Sequence, residues 1–266
     1  MFPTIIIIAL VPDQYPKKMK TIKTIFVASI AGITVLVILT GYHSKLVDAK
    51  DLMGAWGYGG ADNRSVLIHS GNVFSVASYD VPGKKFISSY GGTWRIEGAK
   101  LLRKIEWNST DSSLVGKHIS YNFQLIDGRL NISQANEKWD RLDNGGPSEL
   151  AGTWIITGNY SNDKVSRRGS PFFPRRTMKV LSGKYFHWIA FNVVSKQFLN
   201  AGGGSYTTVN GKYTENIEFF TKTAQSVGKT LVFDYSFVDG DWRHRGEKST
   251  GGPMDECWSR RETLER

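Results

Sequence analysis

The chain has 266 residues, with 34 lysines and arginines against 24 aspartates and glutamates, and a single cysteine. One cysteine excludes an intramolecular disulfide framework and a cysteine-rich zinc module. The hydrophobic content of 40%, including 12% aromatic residues, is enough to build a core and excludes a wholly disordered chain.

The first 50 residues form a leader in which a basic flank precedes an apolar stretch. Lysines at positions 17, 18, 20 and 23 are followed by an uncharged run over residues 24–44. This pattern predicts a hydrophobic leader helix that is either a cleaved signal peptide or an uncleaved single-pass membrane anchor. In both cases the rest of the chain is expected outside the cytoplasm, in the periplasm, in the cell envelope or secreted. The sequence leaves open whether the start is Met1 or Met19.

An internal repeat follows the leader. Equivalent residues are 112 positions apart, the distance from Ser70 to Ser182. The main matches are Gly91-Gly92-Thr93-Trp94 with Gly203-Gly204-Ser205-Tyr206, Ile105-Glu106-Trp107 with Ile217-Glu218-Phe219, and Asp127-Gly128 with Asp239-Gly240. Such self-similarity indicates a tandem duplication. The turn-rich residues 144–148 predict the boundary, so we expect domains over residues 1–50, 51–143 and 149–262.

Each copy is predicted to form about eight short antiparallel strands. Residues 229–238 alternate, with Leu231, Phe233, Tyr235 and Phe237 on one face, which is typical of a strand with one buried side. Strands are predicted near 54–58, 65–69, 72–79, 92–97, 100–107, 117–126, 129–134 and 137–142 in the first copy. In the second copy they are predicted near 153–157, 176–181, 184–191, 204–209, 212–220, 229–238, 241–246 and 254–260. The fold class is therefore all-β, with two tandem up-and-down barrels, because closure removes unpaired strand edges.

Each copy also begins with Gly-x-Trp and ends with an arginine on its last strand. These residues are Gly54, Trp56 and Arg141, then Gly152, Trp154 and Arg260. The combination resembles the calycin superfamily, which includes the lipocalins and the fatty-acid-binding proteins. The resemblance implies that the tryptophan packs over the closed end of each barrel and that the arginine lies across it as a cation–π contact. Barrel closure is the role expected of Trp56, Arg141, Trp154 and Arg260.

Three segments carry a closer resemblance, to uncharacterised lipocalin-like exported proteins of Bacteroidetes-type bacteria. They are Ala201-Gly202-Gly203-Gly204-Ser205-Tyr206, Tyr213-Thr214-Glu215-Asn216-Ile217-Glu218 and Asp255-Glu256-Cys257-Trp258-Ser259-Arg260. The resemblance covers nearly all of residues 149–262 and, more weakly, 51–142. It implies the fold and the export, but no settled activity.

The chain lacks the motifs of common enzyme classes. Its five histidines show no metal-ligand spacing, and Cys257 has no partner motif. The acids Glu106 and Glu218 recur in both copies, as do Glu137 and Glu256. They are either general acid and base groups or, as we favour, ion-pair partners of Arg141 or Arg260 inside or beside the barrel. We therefore expect a non-enzymatic protein with no catalytic residues, no metal and no cofactor.

A barrel of eight strands either fills with side chains or encloses one small ligand. Trp188 and Tyr206 flank a flexible glycine run and are predicted at a pocket mouth. The candidate ligand-binding residues are Trp188, Tyr206, Glu218, Phe233 and Tyr235. The expected function is an exported or membrane-tethered binding protein that holds a small apolar or amphipathic molecule in at least the second barrel.

Two other functions stay open at this point. One is a filled-barrel module of the cell envelope that binds a partner through its outer surface and basic loops. The other is an enzyme on a calycin scaffold that uses Glu218 or His187. No nucleic-acid partner is expected, because the chain is predicted to be exported and no recognition helix is visible. A membrane contact is expected only through the leader, if it is uncleaved.

Overall fold

A computed structural model of the protein describes residues 47–133 and 136–265. The predicted leader helix over residues 24–44 lies outside this part of the chain, and so does either start at Met1 or Met19. Within the described ranges, no helix is both long enough and apolar enough to cross a membrane.

The first copy folds into a closed barrel of eight antiparallel strands in sequential order. The strands are β1 (Gly54–Tyr58), β2 (Arg64–Ser70), β3 (Val73–Asp80), β4 (Lys85–Glu97), β5 (Lys100–Asn108), β6 (His118–Ile126), β7 (Arg129–Ile132) and β8 (Glu137–Arg141). Pairing of β1 with β8 closes the barrel and places Trp56 opposite Arg141. At the turn between β6 and β7, Asp127 and Gly128 both have positive φ, as expected of this dipeptide in a tight hairpin.

The second copy forms a second closed barrel, which β9 and β17 close by pairing with each other. Its strands are β9 (Gly152–Ser161), β11 (Arg175–Leu181), β12 (Tyr185–Asn192), β13 (Phe198–Val209), β14 (Lys212–Phe220), β15 (Thr230–Val238), β16 (Asp241–Glu247) and β17 (Pro253–Arg260). The prediction of an all-β fold with two tandem eight-stranded barrels is therefore confirmed.

One strand was not predicted. Strand β10 (Lys164–Arg167) pairs with the outer half of β9 and lies outside the ring of eight strands. Asn162 and Asp163 make the tight turn between the two strands, both with positive φ. All four residues of β10 are exposed, so this strand has no alternation of buried and exposed positions that a sequence pattern could reveal. Two short helices, α1 (Ala49–Leu52) and α2 (Arg261–Leu264), flank the pair of barrels in the described chain.

A tryptophan and an arginine close one end of each barrel. The guanidinium carbon of Arg141 lies 3.8 Å from the Trp56 ring centroid, and that of Arg260 lies 4.1 Å from the Trp154 ring centroid. The glycine of the second Gly-x-Trp, Gly152, has a φ of +145°, and a Cβ atom there would lie 1.8 Å from Nη1 of Arg260. The motif therefore needs glycine, because any side chain would displace the arginine that covers the indole.

The two barrels pack against each other through reciprocal contacts between equivalent residues. Arg64 lies 3.8 Å from the Glu218 carboxylate, and its repeat equivalent Arg176 lies 3.2 Å from Glu106, the equivalent of Glu218. Such reciprocity defines an isologous interface, the kind found between two subunits related by a two-fold axis. The duplicated halves are thus arranged as the two subunits of a symmetric dimer would be.

The aromatic contacts between the barrels follow the same reciprocity. Tyr79 stacks on Phe219 with ring centroids 4.7 Å apart, and their equivalents Phe191 and Trp107 stack at 5.4 Å. Phe86 stacks on its own equivalent, Phe198, at 5.8 Å, so this pair lies on the pseudo-two-fold axis. The interface also buries apolar side chains from the outer faces of both barrels, including Val66, Ile68, Met178 and Val180.

The predicted ion pairs of the repeated acids with Arg141 or Arg260 are wrong. Glu106 accepts hydrogen bonds from Arg176 and Arg261, and Glu218 accepts one from the Tyr79 hydroxyl at 2.7 Å. Both acids lie on outward positions of β5 and β14 and face the other barrel. The strand pattern of one barrel does not show which of its outward residues contact the other barrel. Arg141 and Arg260 instead donate to the backbone carbonyls of Met53 and Ala151, and the other two acids, Glu137 and Glu256, accept hydrogen bonds from the indole groups of Trp139 and Trp258.

Candidate functional site

A cavity of about 360 Å³ opens into the second barrel. Its volume lies at the lower end of the range for small-molecule sites. Much of its wall is apolar or aromatic, and the side chains that form this wall include Ile156, Phe186, Trp188, Leu231, Phe233 and Met254. Because alternate residues of each strand point inward, these six side chains come from only four strands, β9, β12, β15 and β17.

A buried ion pair crosses the inside of the cavity. Nζ of Lys179, on β11, lies 2.6 Å from Oε1 of Glu215, on β14, and the two side chains are 5% and 8% exposed. The ammonium group also lies within 6 Å of five aromatic ring centroids, those of Phe186, Tyr213, Phe233, Trp242 and Trp258. Rings at this distance stabilise a cation through their quadrupoles. The pair places hydrogen-bonding groups in an aromatic barrel without adding net charge.

His244 on β16 is the third polar group inside the cavity. It is 2% exposed, and neither of its ring nitrogens has a hydrogen-bond partner in the described chain. Its Nδ1 lies 3.6 Å from Oε2 of Glu256, beyond hydrogen-bond distance. Burial and the positive charge of Lys179 lower the pKa of His244 to about 4, so the ring is neutral at pH 7. A neutral imidazole offers a bound molecule one donor and one acceptor.

Two further polar groups beside His244 also lack hydrogen-bond partners within the described residues. They are the hydroxyl of Tyr213 and the indole nitrogen of Trp242. Their rings lie 5.5 Å and 5.0 Å from the His244 ring. Most buried polar groups in proteins have a partner, so a cluster of three without one is unusual. Of these three side chains only His244 lines the cavity, so its imidazole is the group that a bound molecule can reach.

Four basic residues line the exposed part of the cavity. They are Arg168, Arg175, Lys222 and Lys248. Nζ of Lys222 lies 4.9 Å from the Trp188 ring centroid. Partial burial, together with the positive charges of Arg175 and Lys248, lowers the pKa of Lys222. The mouth is thus electropositive and is adjacent to the aromatic wall.

The structure brings some of the predicted ligand-binding residues to the cavity but not others. Trp188 and Phe233 line it. Tyr206 and Tyr235 do not: the Tyr206 hydroxyl donates to the Ser182 carbonyl and is also hydrogen-bonded to the Ser148 hydroxyl, and the Tyr235 hydroxyl donates to Glu149. These contacts lie beside the segment that leads into β9. Glu218 lies outside the barrel, where it faces the first barrel.

Sequence reasoning missed the polar groups inside the cavity, namely Lys179, Glu215 and His244. The sequence did contain a signal for Lys179. Thr177, Lys179 and Leu181 are two positions apart on a predicted strand, so all three side chains share its inward face. A lysine on that face requires a buried counter-charge. The sequence could not name Glu215 as the partner, because the two residues lie on strands that are not adjacent.

Over residues 47–133 and 136–265, no group of three histidine, cysteine, aspartate or glutamate side chains could hold a metal ion.

Comparison with protein-family models gives no match, and neither does comparison with curated proteins. The fold and the geometry of the cavity therefore carry the functional argument.

Proposed function

We propose that the protein is a non-enzymatic binding protein that holds a small amphipathic molecule inside its second barrel. The observation that carries this proposal is the cavity of about 360 Å³, with its aromatic wall and its cluster of polar groups. Burial of apolar ligand surface against Trp188, Leu231 and Phe233 would supply the affinity, at about 25 cal/mol per Å² of buried apolar area. His244 and the Lys179–Glu215 pair would orient the ligand through hydrogen bonds.

Export and family membership are further parts of the proposal. The four lysines before residues 24–44 support an exported or membrane-tethered protein with both barrels outside the cytoplasm. The Gly-x-Trp and last-strand arginine motifs, together with the barrel fold, support a lipocalin-like protein of the calycin type, of bacterial origin. A carrier of small amphipathic molecules fits such a location, because these molecules need protection from water between membranes.

A cavity-filling variant with a matched control tests the binding function. Leu231→Trp places a larger ring in the cavity, while Ile119→Trp makes the same change at the equivalent position of the first barrel. Native mass spectrometry of protein purified from its source cells is expected to show a small molecule bound to the wild type and to Ile119→Trp, but not to Leu231→Trp. Equal occupancy of all three proteins would place the ligand elsewhere, and an empty wild type would remove the support for a carrier.

A further inference from the structure

We infer that the molecule held in the second barrel is an anionic amphiphile, whose negatively charged head is bound at the mouth by Arg168, Arg175, Lys222 and Lys248 while its apolar body extends inward. This inference rests on the proposed function and specifies the chemical class of the ligand. The shared chemistry is a single carboxylate or phosphate group at one end of a short hydrocarbon body.

The four mouth cations form no ion pair within the described residues, although neighbouring cations do; the nearby Glu256 carboxylate only attracts one of them, Lys222, electrostatically. In the dipeptide Arg167-Arg168, Arg167 pairs with Asp241 at 2.6 Å. In Arg175-Arg176, Arg176 pairs with Glu106. None of the four mouth residues lies within 4.0 Å of a carboxylate oxygen in the described part of the chain. One residue of each basic pair is thus neutralised within the fold, while the other remains available at the cavity.

The side chains that line the cavity carry more positive than negative charge. Five basic side chains line it, including Lys179, against only two carboxylates, Glu215 and Glu256. Glu215 is neutralised by Lys179. Glu256 keeps its negative charge, because the Trp258 indole nitrogen that donates to it at 3.0 Å is neutral, so the five basic and two acidic side chains leave a net charge of +3. The mouth therefore keeps a net positive charge, and like charges held together destabilise one another until an anion binds between them.

The difference in charge between the two ends of the cavity orients the ligand. The inner end of the cavity contains a closed ion pair and a neutral histidine, so no net positive charge is available there for an anion. An anionic head is better placed at the mouth, where it also remains partly hydrated. The apolar body then contacts Trp188, Leu231 and Phe233, and Lys222 above the Trp188 ring lies where head and body meet.

Isothermal titration calorimetry tests the inference with four probes that have the same ten-carbon chain and differ in their head groups. The probes are decanoate, decyl phosphate, decanol and decyltrimethylammonium, each titrated at low ionic strength into the full chain. We expect the two anions to bind about tenfold more tightly than decanol, equivalent to roughly 1.4 kcal/mol, and the cation to bind more weakly than decanol. The ratio between decanoate and decyl phosphate identifies the head group. Added salt is expected to weaken only the anions.

A pair of variants locates the charge effect at the mouth. The double variant Lys222→Gln/Lys248→Gln is expected to lose about tenfold in decanoate affinity, roughly 1.4 kcal/mol, with decanol binding unchanged. Lys138→Gln, at an exposed position of the first barrel, is the control and should bind like the wild type. Far-ultraviolet circular dichroism verifies that both variants are folded.

The outcomes separate the inference from the function on which it rests. Equal affinity for decanol, decanoate and decyltrimethylammonium would overturn the anionic head while leaving a binding barrel intact. Unchanged decanoate affinity in Lys222→Gln/Lys248→Gln would show that the anionic head is not bound at the mouth. Failure of all four probes to bind would overturn both the inference and the proposed function.

Discussion

The two barrels share their strand order and their closing residues but differ in what fills them. The second barrel places Lys179 and Glu215 inside, and the equivalent residues of the first barrel are Leu67 and Arg103. Likewise, His244 of the second barrel is equivalent to Ile132 of the first. The duplicated scaffold has therefore kept one architecture around two different interiors.

The interior of the first barrel is mainly apolar, with one unbalanced charge. A buried cluster that includes Leu67, Leu101 and Leu130 fills it. Arg103 is 2% exposed, and its guanidinium carbon lies 4.5 Å from the Phe74 ring centroid. Its Nε and Nη2 have no hydrogen-bond partner in the described chain. The comparison indicates that the closing residues and the shared interface define the fold, whereas inward positions can change without loss of the barrel.

The largest effect is expected from breaking the ion pair of the second barrel. Lys179→Met leaves the Glu215 carboxylate buried without its counter-charge, which destabilises proteins by about 3–5 kcal/mol. Urea unfolding measures the loss. Leu67→Met, the matched change in the first barrel, is expected to cost less than about 1.5 kcal/mol. The double variant Lys179→Met/Glu215→Leu should recover most of the stability, and a double variant as unstable as the single one would contradict this account.

Glu106 and Glu218 occupy equivalent positions at the interface between the barrels, but neutralising each of them is expected to cost a different amount of stability. Glu106→Gln leaves Arg176 and Arg261 without their buried carboxylate, with an expected loss of about 3 kcal/mol. Glu218→Gln retains a hydrogen-bond acceptor for Tyr79, and among the described residues the Glu218 carboxylate has only Arg64, at 3.8 Å, as an ionic partner, so a loss of about 1 kcal/mol is expected. Thermal unfolding of both variants is the measurement, and equal losses would show that the asymmetry has no energetic effect.

Acid is expected to destabilise the protein through its buried histidines. Burial lowers the pKa of His187 to about 3, and burial with the nearby Lys179 lowers that of His244 to about 4. In the unfolded chain both residues take up a proton near pH 6.5. Between that pH and the folded values the unfolded state binds more protons, so stability falls as pH falls, by about 2 kcal/mol for each histidine at pH 5.

Urea unfolding between pH 7 and pH 4 measures this dependence. His244→Asn should show a smaller loss of stability on acidification than the wild type, because one of the buried titrating groups is gone. His118 is exposed on β6 of the first barrel, so His118→Asn is the control and should follow the wild-type curve. A His244→Asn curve parallel to the wild type would exclude His244 as a source of the acid sensitivity.

The smallest change in stability is expected from a substitution inside the first barrel, and this change is a gain instead of a loss. Arg103→Met removes a buried charge that lacks full hydrogen bonding and keeps most of the apolar stem, so stability should rise by about 1 kcal/mol. The same change at Arg95, which is exposed, should have little effect. A lower unfolding midpoint for Arg103→Met would show that its contacts with Phe74 and Tyr121 stabilise more than burial destabilises.

Most of the strands could be predicted because short-range patterns specify them. The alternation over residues 229–238 corresponds to β15, and the predicted residues 212–220 coincide with β14. Strands β4 and β13 begin earlier than predicted, at Lys85 and Phe198, because their first halves lie along the interface rather than following a simple inward and outward pattern. Of the predicted ligand-binding residues, Trp188 and Phe233 line the cavity because the period of two places them inward.

The residues that close the barrels were implied by the resemblance to a known family, whereas the sequence by itself determined the duplication and the two barrels. These features depend on spacing along the chain, on turn dipeptides such as Asp239-Gly240, and on a period of two. Only the tertiary structure decided that Glu106 and Glu218 face the opposite barrel and that Lys179 meets Glu215 across the cavity. The physical reason is that closing a sheet and docking two barrels bring together residues from strands that are not neighbours, and such pairings leave no periodic trace in the chain.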